Sequence, residues 1–272
     1  MTFALIDNGS LEPAAHLRLR RAAAAIAERA GLPVHALSWK HSDRIPAAAL
    51  AGQPAWTLAP WIRAQLAQRE HEFVFVPFFS SVQGAIGSAL RRDLKSLQHE
   101  AYDFDFRFAA GLAARHALAP IVASRVRETL AAQKLLRPAV IVVDHGGPSA
   151  SSAALRDRVT GKVRSLLGTE VSAVSAASLE GADHVHSRPL LADLLATPGF
   201  NDGDVVVAPL FFAPGRHAGP AGDIAEICRA ATARCHVTGL IGDHPNVVEV
   251  LAGALRDALA RTVPTEAGGY VS

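Results

Sequence analysis

The sequence predicts an α/β protein of two similar domains, each a parallel four-stranded sheet flanked by helices. Three observations predict it. Short β-branched and aromatic runs alternate with helical patterns, as in parallel strands joined by right-handed crossovers. Val140–Val143 is apolar without interruption, the mark of a strand covered on both faces. Three segments also recur in the same order in both parts of the chain, so an internal duplication is expected.

"FALIDNGS" at 3–10 aligns with "VIVVDHGG" at 140–147 and sets Asn8 opposite His145. "FVFVPFF" at 73–79 aligns with "VVVAPLFF" at 205–212, with Pro77 opposite Pro209. The stretch beginning "GLAARHALAP" aligns with "GLIGDHPNVV", with His116 opposite His244. The offset shrinks slowly along the chain, as small loop deletions would make it do. The joint falls near "KLLRPA", which gives domains at 1–135 and 136–262 and a frayed tail at 263–272.

In the second domain, Val140–Val143 is the first strand, and Leu155, Val159, Val163 and Leu166 recur at helical spacing after it. A second strand is expected at 170–177, then a short helix in "RPLLADLLATPG" ended by Pro198 and Gly199. A third strand at 205–207 precedes a helix at 223–233, a fourth strand at 235–240 and a closing helix at 247–260. The first domain repeats the scheme, with Leu19, Ile26 and Ala30 along one face of its first helix.

A chain of 272 residues suits two domains, and with half its residues hydrophobic and 19% charged it is not disordered. A net charge of +2 lacks the dense basic face of a nucleic-acid protein. Cys228 and Cys235 form no CxxC pair and read as reduced thiols. No leader pattern and no long apolar stretch occurs, so a cytoplasmic protein without a membrane span is expected.

In open parallel sheets ligands bind beyond the carboxyl ends of the strands, where the strand order reverses. An order of 2-1-3-4 makes strands 1 and 3 neighbours at that point. His145 follows strand 1, Glu180 in "ASLEG" follows strand 2, and His217 in "PLFFAPGRHAG" follows strand 3. Singly, each is an ordinary residue at a strand end. Together they converge on one rim, kept low by Gly146, Gly147 and Gly215. "DHGGPS" is neither a dinucleotide fingerprint nor a P-loop, and no G-x-S-x-G elbow occurs. His184 and His186 in "DHVH" read as solvated loop histidines, since a metal site there needs further ligands. His16, His35, His71, His99 and His236 suggest no partners. His116 and His244 sit before a final helix in both domains, which suggests a structural or capping role.

The duplication, "VVDHGGP", "VVVAPLFFAPGRHAGPAGDI" and "TGLIGDHPNVVEVL" resemble the class II chelatases, the CbiX-like and SirB-like enzymes that insert a divalent metal into sirohydrochlorin. The likeness covers roughly residues 1–260 and is clearest at 139–258. It implies two α/β domains facing each other across a cleft about a pseudo-twofold. It implies two metal-handling histidines in one domain, His145 and His217, with Glu180 as the nearby acid. It further implies a monomer whose cleft lies within one chain, cobalt, iron or nickel as substrate, no organic cofactor, and a place in cobalamin- or siroheme-type biosynthesis. Arg216 and Arg188 are candidates to meet the carboxylates of the tetrapyrrole. The first domain departs from the pattern: Asn8 replaces one histidine, Gly84 or Ala85 falls opposite His217, and His41 and Asp43 lie near the place of Glu180.

On this reading His145 and His217 hold the metal within roughly 4 Å of each other, given metal–nitrogen bonds of about 2.0–2.1 Å. One of them takes a pyrrole proton, and Glu180 orients an imidazole or relays the proton. Two other readings remain. One is a non-catalytic tetrapyrrole or metal carrier, the other a phosphate-ester or nucleotide-binding α/β protein.

Overall fold

A computed structural model describes residues 1–100 and 103–260, so the expected tail at 263–272 lies outside the described residues. The first half runs β1 (Thr2–Asp7), α1 (Pro13–Ala30), β2 (His35–Ser38), α2 (Leu58–Ala67), β3 (Glu72–Pro77), α3 (Ala85–His99), β4 (Asp105–Phe108) and α4 (Leu118–Gln133). The second runs β5 (Ala139–Gly146), α5 (Ala150–Leu167), β6 (Ala173–Glu180), α6 (Leu191–Leu195), β7 (Asp204–Pro209), α7 (Asp223–Ala230), β8 (Arg234–Val237) and α8 (Pro245–Ala260). Two four-stranded sheets result, ordered β2-β1-β3-β4 and β6-β5-β7-β8, and all their strand pairs are parallel.

The elements follow from local chemistry. The apolar runs of β1, β5, β3 and β7 are buried on both faces, which makes them the central strands. α1 opens on Pro13, whose missing N–H costs nothing in a first turn, and ends at Gly31 in the left-handed region. The Ser149 hydroxyl caps α5 by accepting from the Ser152 N–H at 3.3 Å.

Several expected boundaries move. β6 begins at Ala173 because Glu170 lies in a single 3-10 turn and pairs with Arg127 of α4. Glu180 is therefore the last residue of β6. The buried residue at the end of α5 is Leu167 (1% exposed), while Leu166 is 44% exposed and points away. α7 stops at Ala230 because Ala231 is extended and the Thr232 hydroxyl donates to the Asn201 carbonyl (2.7 Å). β8 ends at Val237, and the Thr238 N–H makes one further bond, to the Val207 carbonyl at 3.0 Å. α8 starts at Pro245, and His244 caps it by accepting from the Asn246 N–H at 3.2 Å.

The halves pack through helices: α1 lies on α8, and α4 on α5. These are equivalent elements exchanged, the pairing that a pseudo-twofold produces. One core runs through the seam, with Leu19, Ile26, Val122 and Val126 meeting Val159, Val163, Leu251 and Leu255. The Phe78 and Phe212 rings cross it edge to face, with centroids 5.4 Å apart. Arg18–Asp243, Arg29–Glu249 and Arg115–Asp257 bridge its rim.

Beneath the two sheet rims the halves differ. Asp144 Oδ1 accepts from the Ser178 hydroxyl (2.6 Å), and the buried Arg156 guanidinium donates to the same hydroxyl and to the His186 carbonyl (2.9 Å). In the first half the helix position equivalent to Arg156 is Leu19. There Asp7 bonds Ser38, and the buried His16 sits 3.4 Å from that hydroxyl. Burial pushes the Asp7 carboxyl up to about 6, and burial with Arg20 nearby pushes His16 down to about 4.

A carboxyl raised in the folded state contributes stability that is present below its ordinary value and lost as pH rises through about 6. Asp7→Asn keeps an oxygen to accept from the Gly9 N–H and from Ser38. It is expected to be more stable than the wild type by about 1–3 kcal/mol at pH 8 and by little near pH 4. Urea melts at the two pH values check this, and equal gains at both would contradict it.

Candidate metal site

The C-terminal rim of the second sheet gathers the three predicted side chains. His145 stands on the last turn of β5, Glu180 ends β6, and His217 lies in the loop after β7. Gly146 makes the first two neighbours. It pairs with Glu180, and a Cβ there would collide with the Glu180 carbonyl oxygen. The glycine lets β5 run on beside β6 and carry His145 to the rim.

His145 Nε2 and His217 Nε2 are 3.1 Å apart, with the rings at 90°. Glu180 lies 3.9 Å from His145 Nε2 and 4.0 Å from His217 Nδ1. Among the described residues this is the one group of three or more such ligands close enough to share a metal ion. The partners of the rings set their tautomers. His217 Nδ1 is 2.6 Å from Asp223 Oδ2, a carboxylate that can only accept, so Nδ1 carries the proton. His145 Nδ1 faces the Gly146 carbonyl at 3.2 Å and likewise donates. Both Nε2 lone pairs then point into one gap, an arrangement that a cation between them relieves. Two metal–nitrogen bonds of about 2.0–2.1 Å accommodate that separation.

Supporting residues come from places where the sequence reading saw no function. Asp223, read there only as a helix start, orients His217. Instead of being solvated, His186 bonds the Gly147 carbonyl at 2.9 Å, and the Ser187 hydroxyl accepts from the Gly147 N–H at 3.1 Å. His186 and the adjacent Ser187 therefore clamp the turn after His145. His184 stacks on His186 without joining any metal-ligand group. Arg216 is 79% exposed, 3.9 Å from Glu180 and 3.8 Å from Asp223. Gly147 and Gly215 face open space. Arg188 turns back on the Ala182 carbonyl.

The first half reproduces the backbone without the ligands. Gly9 takes the place of Gly146, and a Cβ on it would collide with the Lys40 carbonyl oxygen. Lys40 is thus the equivalent of Glu180, and the expected pairing of His41 and Asp43 with that position shifts by register. Its ammonium pairs with Asp93 at 3.2 Å and lies over the Trp39 ring. His41 and Asp43 instead line a groove of about 520 Å³ beside α2 and α3. Ala85 opens α3, and Gly84 abuts Ser152 of the other half. An amide and a lysine thus stand where the second half has His145 and Glu180, and neither Gly84 nor Ala85 offers a ligand atom in place of His217.

The fold matches solved structures over 96% of the chain. SirB from Bacillus subtilis with Fe3+ matches at a TM-score of 0.63 and 11% identity, over 96% of this chain and 97% of that one. The sirohydrochlorin chelatase SirB from Bacillus subtilis subspecies spizizenii in complex with cobalt matches at 0.57 and 12%, with the same coverage. No family model and no curated protein matches the sequence. The chain therefore has the two-sheet α/β fold of the SirB structures, at an identity where the likeness speaks for the fold alone.

Proposed function

We propose that the chain inserts a divalent metal ion into sirohydrochlorin, with cobalt, iron or nickel as the metal and siroheme- or cobalamin-type biosynthesis as the setting. The observation that carries this is the pair of Nε2 atoms 3.1 Å apart, each ring with an acceptor oxygen beside its Nδ1. The SirB structures, one with Fe3+ and one a sirohydrochlorin chelatase with cobalt, support it. The metal is substrate, and no organic cofactor enters. We further propose that the chain acts as a cytoplasmic monomer with one domain on either side of the joint near residue 135. Among the described residues no helix is long and apolar enough to cross a membrane, and both cysteines are free.

Insertion exchanges two pyrrole protons for the metal. His145 and His217 hold the incoming ion as a two-nitrogen site, looser than a closed four-ligand cage. As the ion passes to the ring nitrogens, the freed Nε2 of His145 accepts one pyrrole proton and the Glu180 carboxylate beside it accepts the other, and both protons then leave to solvent. Asp223 keeps His217 in the ligating tautomer.

An absorbance assay with sirohydrochlorin and each of cobalt(II), iron(II) and nickel(II) tests the reading. Metal-dependent spectral change faster than the protein-free rate is expected. Binding of both partners without acceleration would instead identify a carrier. Asp223→Ala is expected to weaken cobalt(II) binding about 10–100-fold, and Asp223→Asn, which can still accept from Nδ1–H, by less. Spectroscopic cobalt titration checks this, and equal losses in the two variants would remove the tautomer role.

A further inference from the structure

We propose that the cavity between the two halves is a carboxylate-binding site. About 320 Å³ in volume, it lies between residues 80–83 and 111–119 of the first half and α5 of the second. Its polar lining comprises Ser80, Ser81, Gln83 and His116 from one side and Arg158 and Lys162 from the other, with no Asp or Glu. The cations and hydroxyls can all donate, so the lining suits an anion rich in acceptor oxygens.

Charge bookkeeping along the seam sets this place apart. Arg18, Arg29, Arg115 and Arg127 each pair with an acid of the opposite half. Arg158 and Lys162, one turn apart on α5, have no acidic partner among the described residues and face a concavity. His116 adds a third basic group. Its counterpart His244 is buried and caps α8, whereas His116 is exposed, caps nothing and lines the cavity. The structural role expected of both histidines therefore holds only for His244.

The cavity is tied to the metal site. The Ser151 hydroxyl, in the first turn of α5, donates to the Gln83 carbonyl at 3.2 Å. α5 begins just after the His145 turn, and Arg158 follows Ala150 by roughly 12 Å along the helix at about 1.5 Å per residue. The carboxylates have two possible sources. One is a free small polycarboxylate. The other is the side arms of a tetrapyrrole held at His145 and His217, and only this source rests on the proposed function.

The test compares full-length wild type, an Arg158→Glu/Lys162→Glu variant, and an Arg21→Glu/Arg92→Glu control of equal charge change at exposed positions of α1 and α3. Calorimetry at low salt reads tricarballylate binding to metal-free protein, fluorescence quenching reads sirohydrochlorin binding, and thermal melts verify folding. A tenfold or greater loss of tricarballylate affinity confined to the cavity variant supports the site with a free anion as occupant. The same loss for sirohydrochlorin, where tricarballylate does not bind the wild type, supports it with the arms as occupant. Unchanged binding of both ligands in the cavity variant, equal losses in the control, or no binding of either ligand by the wild type overturns it. A chain that inserts no metal yet shows the tricarballylate loss would refute the proposed function and leave the site standing.

Discussion

His145→Ala and His217→Ala are each expected to lower the metal-insertion rate by at least about 100-fold, the low end of what a positioned acid–base group contributes. Each change removes half of a two-nitrogen site, and His145→Ala also removes the group that receives a pyrrole proton. Because the two act as one unit, the double variant should cost little more than either single one. His145 is exposed, so its removal should leave the thermal melt nearly unchanged and separate chemistry from folding. His41→Ala, in a groove beside the first half's incomplete rim, should retain the wild-type rate within about twofold, as surface changes away from a site do. The initial rate of metal-dependent absorbance change decides the matter. Near-normal rates in both rim variants, with loss in His41→Ala, would move the site to the other half.

The legibility of the rim in the sequence has a physical cause. Central strands of a parallel sheet are buried on both faces, so they stand out as unbroken apolar runs, and their ends are sharp. His145 and Pro209 could be placed near the rim for that reason, although β5 and β7 run on to Gly146 and Pro209, past the expected ends at Val143 and Val207, so His145 lies within its strand instead of after it. β6 is half covered and carries Ser175 and Ser178, so no unbroken apolar run marks its ends, and Glu180 closes the strand instead of following it. β8, an edge strand of four residues, was drawn too long for the same reason. The register of β1 on β2 was not legible either, and it decides that Lys40, not His41 or Asp43, answers to Glu180.

The supporting shell was hidden more deeply. Asp223 reaches His217 only because the intervening loop folds back, with the Asp223 N–H donating to the Arg216 carbonyl at 3.1 Å. A signal did exist: an acidic residue opening a helix six positions after the histidine, in "HAGPAGD". Arg156 sat in plain view between Leu155 and Val159, where helical periodicity leads one to expect a surface residue. The duplication could have exposed it, since the matching position is Leu19, a core residue.

Arg156→Leu, which restores the first half's choice, is expected to destabilise the protein by about 3–5 kcal/mol at pH 7.5, because it strands one partner of a buried pair. The Arg156 side chain is 3% exposed and lies 3.7 Å from Asp144 Oδ1. Burial already raises the Asp144 carboxyl above its ordinary range, while the Ser178 hydroxyl and the guanidinium hold it down. Without the guanidinium the carboxyl rises further. Such a group contributes stability that is present below its ordinary value and lost as pH rises, so the deficit should shrink on acidification. Near pH 4 the lost hydrogen bonds to Ser178, the His186 carbonyl and the exposed Asp157 carboxyl should remain, about 1–2 kcal/mol. Adding Asp144→Asn should recover most of the deficit at pH 7.5, because a carboxamide needs no counter-charge and can still accept from Ser178. Urea melts of the single and double variants at both pH values measure this. A deficit that stays constant with pH, or that Asp144→Asn does not relieve, would mean that Arg156 acts through packing alone. The first half would then owe its tolerance of Leu19 to shape, not to the His16 and Asp7 chemistry beneath its rim.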